Sequence, residues 1–217
     1  TTEFEYMSVR TSIAKITTIS ILLSFFSSAA IAAGDVAAGQ AQAVTCAACH
    51  GQDGATAIDP TYPNLAGQNE VYLTRQLQMF QSGERNVALM SAQLIGKSEQ
   101  DLADLGAYYA SLPAKHFEAT GSDEDIKAAE GIYKGGVIAK GVAACAACHG
   151  PNGAGNAQAG FPAISGQSVG YTIAQLTDYR EGRRGTGDAY GNMMRGVASG
   201  LSDGQIAILA DYISGLH

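Results

Sequence analysis

Positive charge is scarce in this chain of 217 residues: thirteen Lys and Arg stand against twenty Asp and Glu, leaving a net charge of -7. The basic footprint that nucleic-acid binding requires is missing, so DNA and RNA are excluded as partners. Alternating apolar and polar runs of strand length are lacking too, which leaves an all-α chain. Tryptophan is absent, and the four cysteines form two tight pairs, unlike the scattered spacings of a disulfide framework. What is present is 46% hydrophobic residues against 15% charged. That excludes a disordered chain and is enough for one large domain or two small ones.

The N-terminal stretch carries Arg10 and Lys15, then an apolar run from Ile16 to Phe26, then small residues at Ala30-Ile31-Ala32. This is the layout of a secretory signal peptide cleaved after Ala32 or Ala33, with Met7 as the start and Thr1 to Tyr6 upstream of it. The alternative is an uncleaved membrane anchor, since Ile13 to Ala33 matches the ~20 residues that cross a bilayer. Ser24, Ser27, Ser28 and the alanine-rich end favour cleavage. Either way the remainder is exported.

That remainder is a tandem repeat. Cys46-Ala47-Ala48-Cys49-His50-Gly51 recurs unchanged as Cys145-Ala146-Ala147-Cys148-His149-Gly150, 99 residues on. At the same offset Pro63 matches Pro162, Gly67-Gln68 matches Gly166-Gln167, Tyr72 matches Tyr171, Gln76-Leu77 matches Gln175-Leu176, Gly83 matches Gly182 and Arg85 matches Arg184. The second copy gains residues around Gly185 to Asn192, after which the offset is 104: Ser98 with Ser202, Leu105 with Leu209, Tyr108 with Tyr212. Each unit is about ninety residues, small for a self-sufficient core, and a large apolar cofactor would help to hold it. The layout is 1–33 leader, 34–113 first domain, 114–122 linker and 123–217 second domain.

Ser98 with Asp101, and Ser202 with Gln205, mark helix N-termini, the second as a capping box. Apolar residues then recur at helical spacing: Leu102, Leu105, Tyr109 and Leu112, and likewise Ile206, Leu209, Ile213 and Leu216. A second helix per unit follows from Leu73, Leu77 and Phe80, and from Ile173, Leu176 and Tyr179. A third precedes each cysteine pair, over Asp35 to Val44 and Asp123 to Tyr133, the latter opened by Asp123-Glu124-Asp125 as dipole compensation. Pro113 stops the first unit's last helix.

Three chemistries use a Cys-x-x-Cys pair. A zinc site built from two pairs expects them about 15 to 20 residues apart, and a thioredoxin-like pair needs a βαβ context; neither condition holds. A histidine directly after the second cysteine is the signature of covalent haem c, with Cys46, Cys49, Cys145 and Cys148 forming thioethers and His50 and His149 ligating iron from one face. Two haem c groups are expected. The second axial ligand decides between a carrier and a catalyst. Met79 aligns with Asp178 and cannot be shared, whereas Met90 and Met194 each lie eight residues before a matched serine. Met193, one position off register beside the insertion, is the alternative to Met194. His plus Met at each iron leaves no open site for a substrate, so electron transfer follows. Pro63 and Pro162, both thirteen residues past their histidines, are candidates to set a backbone carbonyl on the imidazole Nδ1; a plain turn is the alternative. Arg85 and Arg184 leave a haem propionate contact and a surface role open, and Tyr108 and Tyr212 leave haem contact, domain interface and ordinary packing open. His116 and His217 have no counterparts and read as solvated.

On these residues the chain resembles the dihaem cytochrome c4 family. Cys46 to Gly54, Tyr62 to Gln68, Met90 and Asp101 to Ser111 carry the resemblance in the first half; Cys145 to Gly153, Phe161 to Gln167, Met194 and Asp203 to Leu216 carry it in the second. The resemblance implies two tandem class I cytochrome c domains, each wrapped around one haem c, packed with an approximate twofold relation. It implies a periplasmic carrier, soluble or peripherally membrane-associated, between a quinol-oxidising cytochrome bc complex or other donor and a terminal oxidase. The unequal stretches before Met90 and Met194 imply unequal potentials. Charge is unequal too: Gly34 to Glu118 carries nine acids and four bases, net -5, and Ala119 to His217 nine acids and seven bases, net -2. Different partners for the two halves would follow. The rival readings are a dihaem oxidoreductase, such as a peroxidase or sulfur-compound dehydrogenase, and a membrane-anchored haem subunit of a respiratory complex.

Overall fold

A computed structural model describes residues 33–185 and 189–217; the expected leader lies outside the described residues. Asp35 opens the first helix, α1 (Val36–Gln42), by accepting the Ala38 N–H at 2.9 Å. Four more helices complete the first half: α2 (Ala47–His50), α3 (Glu70–Ser82), α4 (Ala88–Gln93) and α5 (Glu99–Ser111). The second half repeats the order with α6 (Asp123–Gly135), a 3₁₀ turn at Ile138–Lys140, α7 (Ala146–His149), α8 (Val169–Arg180), α9 (Ala189–Ala198) and α10 (Asp203–Ser214). Among the described residues the only extended pairing is two isolated bridges, Val137 with Val142 and Asn156 with Phe161.

Both final helices open on reciprocal capping boxes. The first is a correction to the sequence reading: the short Asp101 carboxylate reaches back to the Ser98 N–H at 2.7 Å, so aspartate closes the box as glutamine does at Ser202. Absent from the sequence reading are the short α2 and α7, the 3₁₀ turn, and α4 and α9, the last two of which carry Met90 and Met194. These methionines therefore sit on helices, not on loops.

In the first half α1 lies against α5, and Gly39 permits the approach. A Cβ there would stand 2.0 Å from the Asp104 carbonyl oxygen. The first core falls into two clusters, Ala43, Leu73, Leu105 and Tyr109 on one side and Phe80, Leu94 and Leu102 on the other, with Leu77 packed against both. In the second half α10 packs on α6 and α8 around Tyr133, Val142, Leu201, Ile206, Leu209 and Ile213. Tyr108 stacks beside Tyr109 and Tyr212 beside Tyr133, at centroid separations of 5.0 and 5.6 Å, which is ordinary packing within each half.

The connection at 113–121 contains no helix yet is tied to α10. Phe117 N–H donates to the Ser214 carbonyl at 3.2 Å. The Asp211 carboxylate accepts the Thr120 and Gly121 N–H groups, each at 3.0 Å, and the Thr120 hydroxyl at 2.9 Å. Burial works to raise the Asp211 carboxyl, but these donors outweigh it and hold it below the usual carboxylate range. The resulting stabilisation is complete above the unfolded carboxyl value, about 3.9, and is lost as pH falls through the lower folded value. Asp211→Ala is expected to cost about 1–2 kcal/mol in urea unfolding at pH 7, and the difference from wild type should shrink steadily below about pH 4.

Candidate functional site

In each half the cysteine pair and the histidine share one helical turn. Cys46 caps α2, and the His50 N–H donates to the Cys46 carbonyl at 3.0 Å; Cys145 and His149 repeat this at 2.9 Å. Gly51 and Gly150 end these turns at φ of 81° and 78°, left-handed backbone that favours glycine. Both histidines are buried, at 6% and 7% exposure. His50 Nδ1 lies 2.9 Å from the Pro63 carbonyl oxygen and His149 Nδ1 lies 2.9 Å from that of Pro162. A carbonyl can only accept, so Nδ1 carries the proton and Nε2 keeps its lone pair. Burial holds both imidazoles below their ordinary pKa, against the upward pull of the carbonyl bond, and they stand neutral.

All four cysteines are free of disulfides. Burial pushes the Cys145 thiol up to about 11. Cys46 packs against the first cluster of the first core and Met90 against the second. Met194 is half-buried on α9, whereas Met193 on the same helix is 46% exposed. Met79 is buried on α3, within 3.5 Å of Gln76 Nε2. Among the described residues no three His, Cys, Asp or Glu side chains converge on a point that would hold a bare metal ion. The donor set instead fits a planar macrocycle: two thiols and a neutral imidazole on one turn in each half, flanked by apolar side chains, with the Met90 thioether beside the other apolar cluster of the first half.

The two halves meet through the matched polar residues. Arg85 donates to Gln76 Oε1 at 2.7 Å within its own half, and across the interface to Gln175 Oε1 at 2.8 Å and the Tyr171 hydroxyl at 3.0 Å. Arg184 returns the pattern, to Gln175 Oε1 at 2.5 Å, the Tyr72 hydroxyl at 2.9 Å and Gln76 Oε1 at 3.1 Å. Burial pushes Tyr171 up, but the two guanidiniums outweigh it and hold the phenol below its usual value. Below this cluster the Gln68 carboxamide brackets Ala163, accepting its N–H at 2.9 Å and donating to its carbonyl at 2.7 Å. Gln167 brackets Asn64 in the same way, at 2.8 and 3.0 Å.

Sequence reasoning matched these glutamines without giving them a role; the signal was the recurrence of the same polar residue at the offset of 99, just ahead of α3 and α8. It missed Arg75 and Tyr190 entirely. The Arg75 guanidinium lies over the Tyr190 ring at 4.1 Å and donates to the Gly160 carbonyl at 3.0 Å. Its Nε is buried without a hydrogen-bond acceptor. His116 and His217 are exposed, and their rings face each other at 5.9 Å.

A family model described as cytochrome c matches residues 36–113 and 134–217. The chain is 45% identical to cytochrome c4 of Pseudomonas aeruginosa over 201 residues, 92% of this chain and 98% of that protein. Its fold matches the crystal structure of reduced recombinant cytochrome c4 from Pseudomonas stutzeri with a TM-score of 0.79 at 44% identity, covering 85% of this chain and 100% of that one. More distantly, it is 37% identical to a thiosulfate dehydrogenase electron acceptor of Thiomonas intermedia, over 82% of this chain and 81% of that protein.

Arg184→Ala removes three hydrogen bonds, two of them across the interface, and strands the Tyr72 hydroxyl, and it is expected to cost about 2–4 kcal/mol in chemical unfolding. Arg183→Ala, which loses only the exposed pair with Asp178, should stay within about 0.5 kcal/mol of wild type in the same experiment.

Proposed function

The chain belongs to the cytochrome c family in its tandem cytochrome c4 form, a dihaem electron-transfer cytochrome with two covalently attached haem c groups, and we propose that it works as a periplasmic carrier of single electrons between respiratory partners. The observation that carries this reading is that both halves hold a buried histidine oriented by a proline carbonyl, next to a cysteine pair on the same turn, and a methionine on a separate helix. When bound, the haem supplies a ferric/ferrous couple that exchanges one electron. Cys46 and Cys49, and Cys145 and Cys148, would hold the two groups by thioethers. His50 and His149 present Nε2, and the proline carbonyls fix both tautomer and ring orientation. Met90 and Met194 would complete the coordination, and a haem iron held in this way would offer no place for peroxide or another small substrate.

Export to the periplasm is supported by the N-terminal layout and by the attachment motif. Among the described residues no helix is long and apolar enough to cross a membrane. A quinol-oxidising bc complex as donor and a terminal oxidase as acceptor are the partners we assign, with the halves dividing the work according to their net charges of -5 and -2. The relative named for thiosulfate dehydrogenase makes a sulfur-oxidising enzyme the second reading of the donor.

The ferric protein should show the weak far-red methionine-to-iron band at two equivalents per chain. Met90→Ala and Met194→Ala should each remove half of it, and Met193→Ala none. A wild-type band of one equivalent or less would point to an open haem and to an enzyme, and loss on Met193→Ala would exchange the roles of the two adjacent methionines.

A further inference from the structure

We propose that Gln68 and Gln167 are crossed positioning residues, each acting on the histidine of the opposite half through a single peptide group. The Pro63 carbonyl that accepts from His50 Nδ1 and the Asn64 N–H that donates to Gln167 Oε1 belong to the same peptide plane, with bonds of 2.9 and 2.8 Å. In the second half the Pro162 carbonyl, on His149 Nδ1, and the Ala163 N–H, on Gln68 Oε1, again share one plane, with both bonds at 2.9 Å. Each carboxamide is held in one orientation. Gln68 Oε1 also accepts the Asn69 N–H at 2.8 Å and Gln167 Oε1 the Ser168 N–H at 3.0 Å, so only the oxygen can face these donors.

Hydrogen bonds in series polarise one another, by roughly 10–30% per bond. A peptide whose N–H is accepted has a more basic carbonyl, and a more basic carbonyl draws harder on the imidazole proton. Electron density then moves toward Nε2, which makes the histidine a stronger donor and favours ferric iron. The glutamine of one half thus lowers the potential of the haem in the other. This inference rests on the reading of His50 and His149 as axial ligands.

The test uses the full dihaem protein with Gln68→Met and Gln167→Met. Reduction potentials are read by stepwise titration, and the imidazole Nδ1–H and methionine methyl resonances by paramagnetic NMR, assigned to each haem with Met90→Ala and Met194→Ala. Gln68→Met is expected to raise the potential of the second haem and shift the His149 Nδ1–H resonance while the first haem holds; Gln167→Met is expected to do the reverse. A shift confined to the haem of the mutated half, an equal shift at both, or no shift in the folded protein would overturn the proposal. Where a methionine variant does not fold, Gln68→Glu and Gln167→Glu keep the accepting oxygen, and the opposite haem is expected to fall in potential; a fall in the same half would again overturn it. Absence of any paramagnetically shifted imidazole N–H in the wild type would refute the axial-ligand reading itself, which separates that failure from this one.

Discussion

A buried imidazole must have its Nδ1 proton accepted, at a cost of about 1–3 kcal/mol if it is not, and in both halves of this chain the acceptor is a proline carbonyl thirteen residues on. Much of the local architecture follows from that bond. To deliver the carbonyl, the chain must turn back under its Cys-x-x-Cys-His helix, and the return is pinned by the next residues: Leu65 N–H reaches the Gly54 carbonyl at 2.7 Å, and Ile164 N–H reaches that of Gly153 at 2.7 Å. The turn then releases directly into Gln68 and Gln167 and the starts of α3 and α8. The segment that orients each histidine is therefore also the segment that presents the interface, and neither can be moved without the other.

The interface itself is polar for a reason of symmetry. When two copies of one surface meet about a pseudo-twofold, each residue type must find its complement on the same surface. Glutamine satisfies this alone, because its carboxamide carries both donor and acceptor, and Gln68 and Gln167 use both functions against backbone. Arginine cannot, and Arg85 and Arg184 instead face the tyrosine hydroxyls and glutamine oxygens that the repeat supplies alongside them. No carboxylate takes part in these bonds; the acceptors are neutral glutamine and tyrosine oxygens, and the two guanidiniums hold the Tyr171 phenol below its usual value. The aromatic faces of Phe80 and Tyr179, at 4.5 and 4.7 Å from the two guanidiniums, complete the enclosure.

The elements legible in the sequence were those whose signal is local. Ser98 and Ser202 announce caps, the 3.6-residue recurrence of Leu and Ile announces α5 and α10, and equal spacing from histidine to proline points to a carbonyl that does lie at the imidazole. The helices α4 and α9 were not legible, since α4 spans only six residues and α9 ten, too short a run for a 3.6-residue recurrence to stand out, and neither opens on a capping serine. Their packing comes from neighbours distant in sequence, such as Phe80 and Leu102 against Met90. Arg85 and Arg184 could be matched but not placed: a pair of arginines looks alike in sequence whether it meets solvent, a propionate or another domain. The linker read as a spacer, yet its grip on α10 depends on Asp211, ninety residues away.

The repeat also shows where the halves were free to diverge. At the offset of 99, Arg75 has Ala174 as its counterpart and Gly160 has Thr61, while Tyr190 lies in the inserted stretch. The stack of Arg75 on Tyr190 thus has no twin. It joins α3 of the first half to the methionine-bearing helix of the second, and Tyr190 meets Phe161 edge-on at 5.8 Å, beside the proline that serves His149. A cation on this ring, one helical turn before Met194, gives the second half a positive neighbour that the first half lacks, in a protein whose second half is already the less negative. The symmetric contacts hold two equivalent units together, and a small set of unmatched residues makes their electrostatic surroundings different.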